Sequence, residues 1–199
     1  MEKIVFTDLD GTLTLRGTYK QFLMRNLQTS LVLKHGLSLA KMLFLYGIGK
    51  LHHDDVQTIT FKIFFDGYDT TKPLDDFLDH IVWNTKVRDL IDAKKAQGYK
   101  VVVVSASPDV YIKHVYKYLG YDDYISTKVA YQGNKLDGTF VDGMCNFEAK
   151  EKRIKEYLGI NKPKHTISYG NSSGDFAMMS YCDEAYFVTG NQVAHWQAD

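Results

Sequence analysis

The sequence predicts an α/β fold: a parallel sheet with helices on both faces and a helical segment inserted after the first strand. Three observations carry this. Lys100-Val101-Val102-Val103-Val104-Ser105 is an unbroken apolar run, as in a central strand buried on both faces. Short apolar runs alternate with amphipathic helical segments from Thr85 to Val188. Between the first strand and Thr85 the spacing is helical, with no convincing strand.

Taken in order, Lys3-Ile4-Val5-Phe6-Thr7 reads as a short buried strand, rich in β-branched and aromatic residues. The inserted stretch is expected to break at Asp66-Gly67-Tyr68 and Lys72-Pro73. Thr85 to Ala96 places Val87, Leu90, Ile91 and Ala96 at helical spacing and leads through Gln97-Gly98 into the valine strand. Ser107-Pro108 then reads as an N-cap with proline at the first helical position, opening a helix that Gly120 stops. Val129 to Phe140, interrupted at Gly133-Asn134 and Asp137-Gly138, reads as a hairpin excursion. A charged amphipathic helix over Phe147 to Leu158, a strand at His165 to Gly170, a helix at Phe176 to Tyr181 and a strand at Glu184 to Val188 complete the pattern.

The chain has 199 residues, enough for one core with an insertion. Its 24 basic and 24 acidic side chains balance, which excludes a polyanion binder, and nucleic acid is not an expected partner. Cys145 and Cys182 lack metal-ligand spacing, so free thiols in a reducing compartment are expected. Met1-Glu2-Lys3 runs straight into the first strand without a signal-peptide pattern. Leu37 to Gly49 is the longest apolar stretch, contains Lys41, and is too short to span a bilayer. A cytoplasmic protein is the expectation.

The chemistry is concentrated at strand ends. Asp8 and Asp10 follow the first strand, two residues apart, and are followed by Gly11. Folding alone gives little reason for two acids there, because desolvated carboxylates repel and need a cation or donors. An N-cap or Asx-turn accounts for one of them only. In open α/β sheets ligands bind beyond the carboxyl ends of the strands. Ser105 ends the valine strand, Gly170-Asn171-Ser172-Ser173-Gly174-Asp175 follows the strand at His165, and Lys150 opens the helix before it. Carboxylates, a hydroxyl, a fixed cation and oxygen ligands are the inventory for phosphoryl transfer.

These motifs, in this order from Lys3 to Val188, resemble those of the haloacid dehalogenase superfamily in its phosphoserine-phosphatase-like branch. Asp8-Leu-Asp10-Gly-Thr12-Leu-Thr14 matches the first motif, Val-Val-Ser105-Ala-Ser107 the second. Cys145-Asn-Phe-Glu-Ala-Lys150 is similar to the third and Tyr169-Gly170-Asn171-Ser-Ser-Gly-Asp175 to the fourth. The resemblance implies a Rossmann-like core formed by residues 1–15 and 85–199, with a helical C1-type cap at 16–84. It implies that Asp8 attacks phosphorus to give an aspartyl-phosphate and that Asp10 is the general acid and base. Ser105, with amides near Gly11 and Ala106, holds the phosphoryl oxygens, and Lys150 balances charge. Mg²⁺ is expected among Asp8, Asp10, Asn171 and Asp175. Gly11 lets the chain turn sharply and approach the phosphate.

Two departures stand out. Asn171 occupies a position where the family most often has aspartate, so weaker Mg²⁺ binding is expected. Arg16-Gly17-Thr18 stands where phosphoserine phosphatases carry a glutamate that reads the substrate amine, which argues for a different, more anionic small phosphorylated substrate with Arg16 contacting it. Gly11 to His53 contains no acidic residue but carries Arg16, Lys20, Arg25, Lys34, Lys41 and Lys50, interleaved with Leu31-Val-Leu33 and Met42-Leu-Phe-Leu-Tyr46. A cap helix packing its apolar face on other cap helices is the first expectation; a peripheral membrane contact is the second. The leading function is a Mg²⁺-dependent phosphatase of a small phosphate monoester. Action on a phospholipid head-group phosphate, phosphotransfer to an alcohol, and a silent phosphate-binding protein are the alternatives. The sequence leaves the oligomeric state open.

Overall fold

The computed structural model describes residues 2–198. In chain order the elements are β1 (Lys3–Thr7), α1 (Thr18–Arg25), α2 (Thr29–Lys34), α3 (Gly36–Gly47), α4 (His53–Phe65), β2 (Asp66–Asp69), α5 (Asp75–Asp79), α6 (Thr85–Ala96) and β3 (Tyr99–Pro108). They continue with α7 (Asp109–Tyr118), β4 (Asp123–Gln132), β5 (Lys135–Val141), α8 (Glu148–Leu158), β6 (His165–Gly170), α9 (Phe176–Tyr181), β7 (Glu184–Thr189) and β8 (Gln192–His195). The strands form one sheet in the order β2-β5-β4-β3-β1-β6-β7-β8. β4, β3, β1, β6 and β7 are parallel, and β2, β5 and β8 join antiparallel.

Alternation along the central strands explains the layers. Val5, Val101 and Val103 face one core, shared with Val87 and Ile91 of α6 and Val110, Tyr111 and Val115 of α7. Ile4, Phe6, Val102 and Val104 face a smaller core with Ile154 and Leu158 of α8 and Met178 of α9. Each such buried side chain contributes roughly 1.5–3 kcal/mol. From β1 the chain builds outward through β3 and β4 on one side and through β6 and β7 on the other. The crevice therefore opens at the carboxyl ends of β1 and β6, where Asp8 and Asn171 follow their strands.

The segment between β1 and α6 joins the larger core through aromatic side chains. Phe22 of α1 stacks on Phe65 of α4 at 4.9 Å and meets Tyr111 of α7 at 4.8 Å, and Phe77 of α5 meets Tyr111 at 5.2 Å. This segment is not free of strand, contrary to the sequence pattern. Asp66–Asp69, which reads as a break because of Gly67, is β2, paired antiparallel with β5. The pairing is tertiary and leaves no local signal. It depends on Gly138, which β5 runs through instead of breaking there, with φ +72°; a Cβ at that position would lie 3.1 Å from both Asp66 Cβ and Lys62 Cδ. The short edge strand β8 likewise escaped the pattern.

A second correction concerns Ser107. The register of β3 against β4 shifts between Ser105 and Pro108. Such a bulge bends a strand and re-aims its side chains. α7 consequently begins at Asp109, preceded by Pro108 and without a side-chain cap. Ser107 is directed into the crevice instead.

Candidate active site

The site is assembled where β1, β3 and β6 end. Backbone pairing continues one residue past β1: the Asp8 N–H donates to the Tyr169 carbonyl at 2.9 Å. This fixes Asp8 at the start of the turn, while Thr14 returns to Leu9 through its N–H and hydroxyl. Gly11, at φ +89°, allows that return. A Cβ there would stand 2.2 Å from the Asn171 amide nitrogen, so any side chain would expel Asn171 from the site.

Lys150, 1% exposed, is the centre of the charge network. It reaches from the first turn of α8 under the sheet end, and its Nζ donates to Asp8 Oδ1 at 2.7 Å, Asp175 Oδ1 at 2.5 Å and the Val104 carbonyl at 3.1 Å. All three ammonium protons are thereby used. Burial alone would lower the lysine pKa, but Asp8 and Asp175 outweigh it and raise it. The two carboxylates diverge. Burial, and then repulsion from Asp175, push Asp8 up to about 7 despite Lys150. Burial also opposes ionisation of Asp175, but Lys150 and the N–H groups of Asn171 and Ser172 hold it below its ordinary value.

Asp10 is fixed on both oxygens: the Thr18 N–H donates to Oδ1 at 2.5 Å and the Ser107 hydroxyl to Oδ2 at 2.7 Å. Ser105, buried, lies beside them, its Oγ accepting from the Ser107 N–H at 3.1 Å. The Ala106 carbonyl accepts from Thr127 at 2.6 Å. A cavity of about 270 Å³ opens above these groups. Its floor is Asp8, Asp10, Ser105, Ala106, Ser107, Lys150, Asn171 and Asp175, and its other wall comes from α1 and α4.

The structure thus brings together Asp8, Asp10, Ser105, Ala106, Lys150, Asn171 and Asp175, with Gly11 behind Asn171. It does not bring in Arg16. That side chain is exposed and absent from the cavity lining, because Gly17 turns the chain so that Lys20, one helical turn on, lines the cavity in its place. The sequence reading also missed Ser107, Thr12, His53, Asp54, Gln57 and Asn146. Thr12 donates to Asp8 Oδ2 at 3.1 Å. Asp54 accepts from Asn146 at 3.3 Å and stands beside His53, which holds Asp54 below its ordinary pKa and is itself raised by it. Thr12, Ser107 and Asn146 lie inside the motifs already matched, and His53-Asp54-Asp55 stands at the polar start of an amphipathic helix, whereas Gln57 has no local signal.

A hard cation fits the oxygen cluster. One arm of the Asn171 amide lies 3.2 Å from both Asp8 Oδ2 and the Asp10 carbonyl. With nitrogen on that arm it donates to both oxygens; with oxygen there, three oxygens face one another with no proton between them. Magnesium, bound at 2.0–2.1 Å in an octahedron, holds neighbouring oxygens at roughly that spacing. Asp175 is placed differently from the metal-ligand expectation. Its Oδ1 is engaged by Lys150, and its Oδ2 accepts from the Asn171 and Ser172 N–H groups, each at 3.0 Å, and from the Ser172 hydroxyl at 3.1 Å. No group of three His, Cys, Asp or Glu side chains arranged for a metal occurs among the described residues. The set that fits therefore depends on one carboxylate, one backbone carbonyl and one amide.

Protein CicA of Caulobacter vibrioides is 36% identical over 94 residues, 45% of this chain and 40% of CicA, so the match spans under half the length of that relative. A solved protein of unknown function from Bordetella pertussis Tohama I superposes with a TM-score of 0.76 at 16% identity, covering 93% of this chain and 89% of that one. A phospho-aspartyl intermediate analogue of phosphoserine phosphatase superposes with a TM-score of 0.64 at 19% identity, covering 92% and 85%. At these identities the two structures establish the shared fold. The family model of haloacid dehalogenase-like hydrolases matches residues 5–180, which include every residue of the site, and the chain belongs to that family of enzymes.

Proposed function

We propose that the protein is a Mg²⁺-dependent phosphatase that hydrolyses a small phosphate monoester through a phosphorylated Asp8. The observation that carries this is the division of labour between two neighbouring carboxylates. Asp8 is held by the buried Lys150 at the cavity floor, and Asp10 is held beside it by Ser107 and Thr18.

Asp8 attacks phosphorus as the ester P–O bond breaks, and Asp10, protonated, delivers its proton to the leaving oxygen. Asp10, now a carboxylate, takes a proton from water. The resulting hydroxide attacks phosphorus, breaks the bond to Asp8 and releases phosphate. Ser105 and the Ala106 amide would face the phosphoryl oxygens, and Lys150 offsets charge on Asp8 throughout; the Gly11 N–H, expected to join them, is instead taken by the Thr14 carbonyl at 3.0 Å. Asp8, the Asp10 carbonyl and Asn171 would hold Mg²⁺, which neutralises phosphoryl charge when bound. Asp175 positions Lys150 and the loop carrying Asn171. A division into a core (1–15 and 85–199) and a cap (16–84) suits this reading, since the cavity lies between them.

The volume of about 270 Å³ falls below the usual range for drug-sized ligands and suits a small ester. Phosphate release from an aryl phosphate, with and without Mg²⁺, by wild type and Asp8→Asn tests the reading. Metal-dependent turnover that the variant lacks is expected; equal activity of the two proteins overturns it. A lipid head-group phosphate is the second reading, favoured by the apolar surface described next.

A further inference from the structure

α2 and α3 leave apolar side chains in solvent on a scale that core packing does not explain. No residue of α2 is buried, and in α3 only Met42 is. Leu31, Val32 and Leu39 pack partly against the core. On the outer side Leu33 is 79% exposed, Leu37 92% and Phe44 65%, joined by Leu43 and Ile48. Leu37, Lys41, Phe44 and Ile48 follow one another at helical spacing and form a stripe. The apolar side chains are packed inward at Leu31, Val32, Leu39 and Met42, whereas the expected covering by other inserted helices fails for Leu33, Leu37, Leu43 and Phe44. A helix apolar all round belongs inside a protein or against a membrane, and exposed apolar patches rimmed by polar groups mark interaction sites.

Charge identifies the partner. Gly11 to His53 holds six of the 24 basic residues and none of the 24 acidic ones, so it carries +6 against −6 for the rest of the chain. Lys34, Lys41 and Lys50 are exposed beside the apolar stripe and make no ion pair among the described residues. A second copy of this chain would set Lys34, Lys41 and Lys50 against the same three lysines, which disfavours self-association through this face. Nucleic acid would match the lysines but not the leucines and phenylalanine. An anionic bilayer matches both: its head groups attract lysine near the surface, and its interface accepts the apolar side chains. No helix among the described residues is long and apolar enough to cross a membrane, and the 12 residues of α3 span only about 18 Å. The helix would lie along the interface.

We propose that α2 and α3 form a docking surface for an anionic lipid bilayer. α3 ends six residues before α4, whose first residues His53 and Asp54 line the cavity, so docking would set the cavity mouth near the head groups.

The test is co-sedimentation with vesicles of phosphatidylcholine alone or mixed with phosphatidylglycerol, at low and high salt. Wild type is expected to bind the mixed vesicles only and to be released by salt. Leu37→Glu/Phe44→Glu and Lys34→Glu/Lys41→Glu are each expected to lose binding by about tenfold or more. Hydrolysis of a soluble aryl phosphate should be unchanged, which shows that both variants fold. Absence of binding to either vesicle, or equal binding to both, overturns the proposal. So does self-association in solution that Leu37→Glu/Phe44→Glu abolishes, which assigns the face to a second copy. Activity without vesicle binding rejects docking and leaves the phosphatase reading intact; vesicle binding without activity does the reverse.

Discussion

Ser107 donates its hydroxyl to Asp10 Oδ2 at 2.7 Å, joining residues 97 positions apart. The contact exists because β3 bulges between Ser105 and Pro108, which turns Ser107 off the path to α7 and toward β1. When Asp10 is a carboxylate, as in the step that activates water, a hydrogen bond to it contributes about 1.5–3 kcal/mol. Ser107→Ala is therefore expected to lower kcat for an aryl phosphate by roughly 10- to 100-fold with little change in KM. Steady-state kinetics measure the split; a rise in KM at constant kcat would show that Ser107 serves binding instead.

Among the described residues Lys150 is the sole cation paired with Asp8 and Asp175, and it is buried with them. Removing one member of such a network leaves the others uncompensated, which costs roughly 3–5 kcal/mol. Lys150→Met is expected to destabilise the fold by that order in urea titration at neutral pH. The loss should shrink toward pH 5, because a buried carboxylate without its cation is relieved by protonation. A pH-independent loss would attribute the effect to packing alone.

Asp8 gives a pH dependence with a definite sign. Burial and Asp175 raise it to about 7 in the fold, against 3.8 ordinarily. Between these values the folded protein binds the proton more tightly than the unfolded chain, so the stability from this group is present below pH 4 and lost by pH 7 to 8. In metal-free buffer the melting temperature of Asp8→Asn relative to wild type should rise from pH 5 to pH 8, and Mg²⁺ should narrow the gap. A constant difference across that range would show that Asp8 stays ionised in the fold.

Much of this was legible in the sequence, and the reasons differ by element. The valine run and the flanking glycines announce β3 because a doubly buried strand has no other reading. Asp8 and Asp10 stand out because their type conflicts with their place, and conflicts of that kind mark sites. Ser107 and β2 were misread for the same reason: local chemistry favoured a cap and a turn, and tertiary pairing overrode both. Lys20 and Gln57 carry no local signal, since nothing in their neighbours says that two separate segments meet over one cavity.

Asn171 faces Asp8 Oδ2 and the Asp10 carbonyl with one arm at 3.2 Å, and an amide can present either nitrogen or oxygen there. Nitrogen satisfies the metal-free site, whereas oxygen serves a cation. Asn171→Asp removes the choice: it adds a carboxylate to the pair and needs a cation to offset the repulsion. The variant is expected to melt lower than wild type in chelator and to gain more from Mg²⁺, with half-saturation of turnover at a concentration roughly tenfold lower, as about 1.4 kcal/mol would give. Thermal shift and Mg²⁺ titration measure the two effects. Equal half-saturation would show that the amide contributes to the cation site as fully as a carboxylate.

Gln57 is 4% exposed, lines the cavity, and has an amide nitrogen without a hydrogen-bond partner among the described residues. An unmet buried amide costs about 1–3 kcal/mol, so replacing it with leucine of similar bulk is expected to raise stability by that order. The same wall carries Lys20 and His53, two donors, against one carboxylate, Asp54, already engaged by Asn146. Such a wall suits a leaving alcohol rich in acceptors, with Gln57 meeting one of them. Gln57→Leu should therefore leave turnover of a plain aryl phosphate unchanged while lowering kcat/KM about tenfold for phosphate esters that carry a carboxylate or a second phosphate. A panel of such esters decides the matter. If stability rises and no ester is affected, Gln57 is a packing residue with an unmet amide, and the leaving group is read by Lys20 and His53 alone.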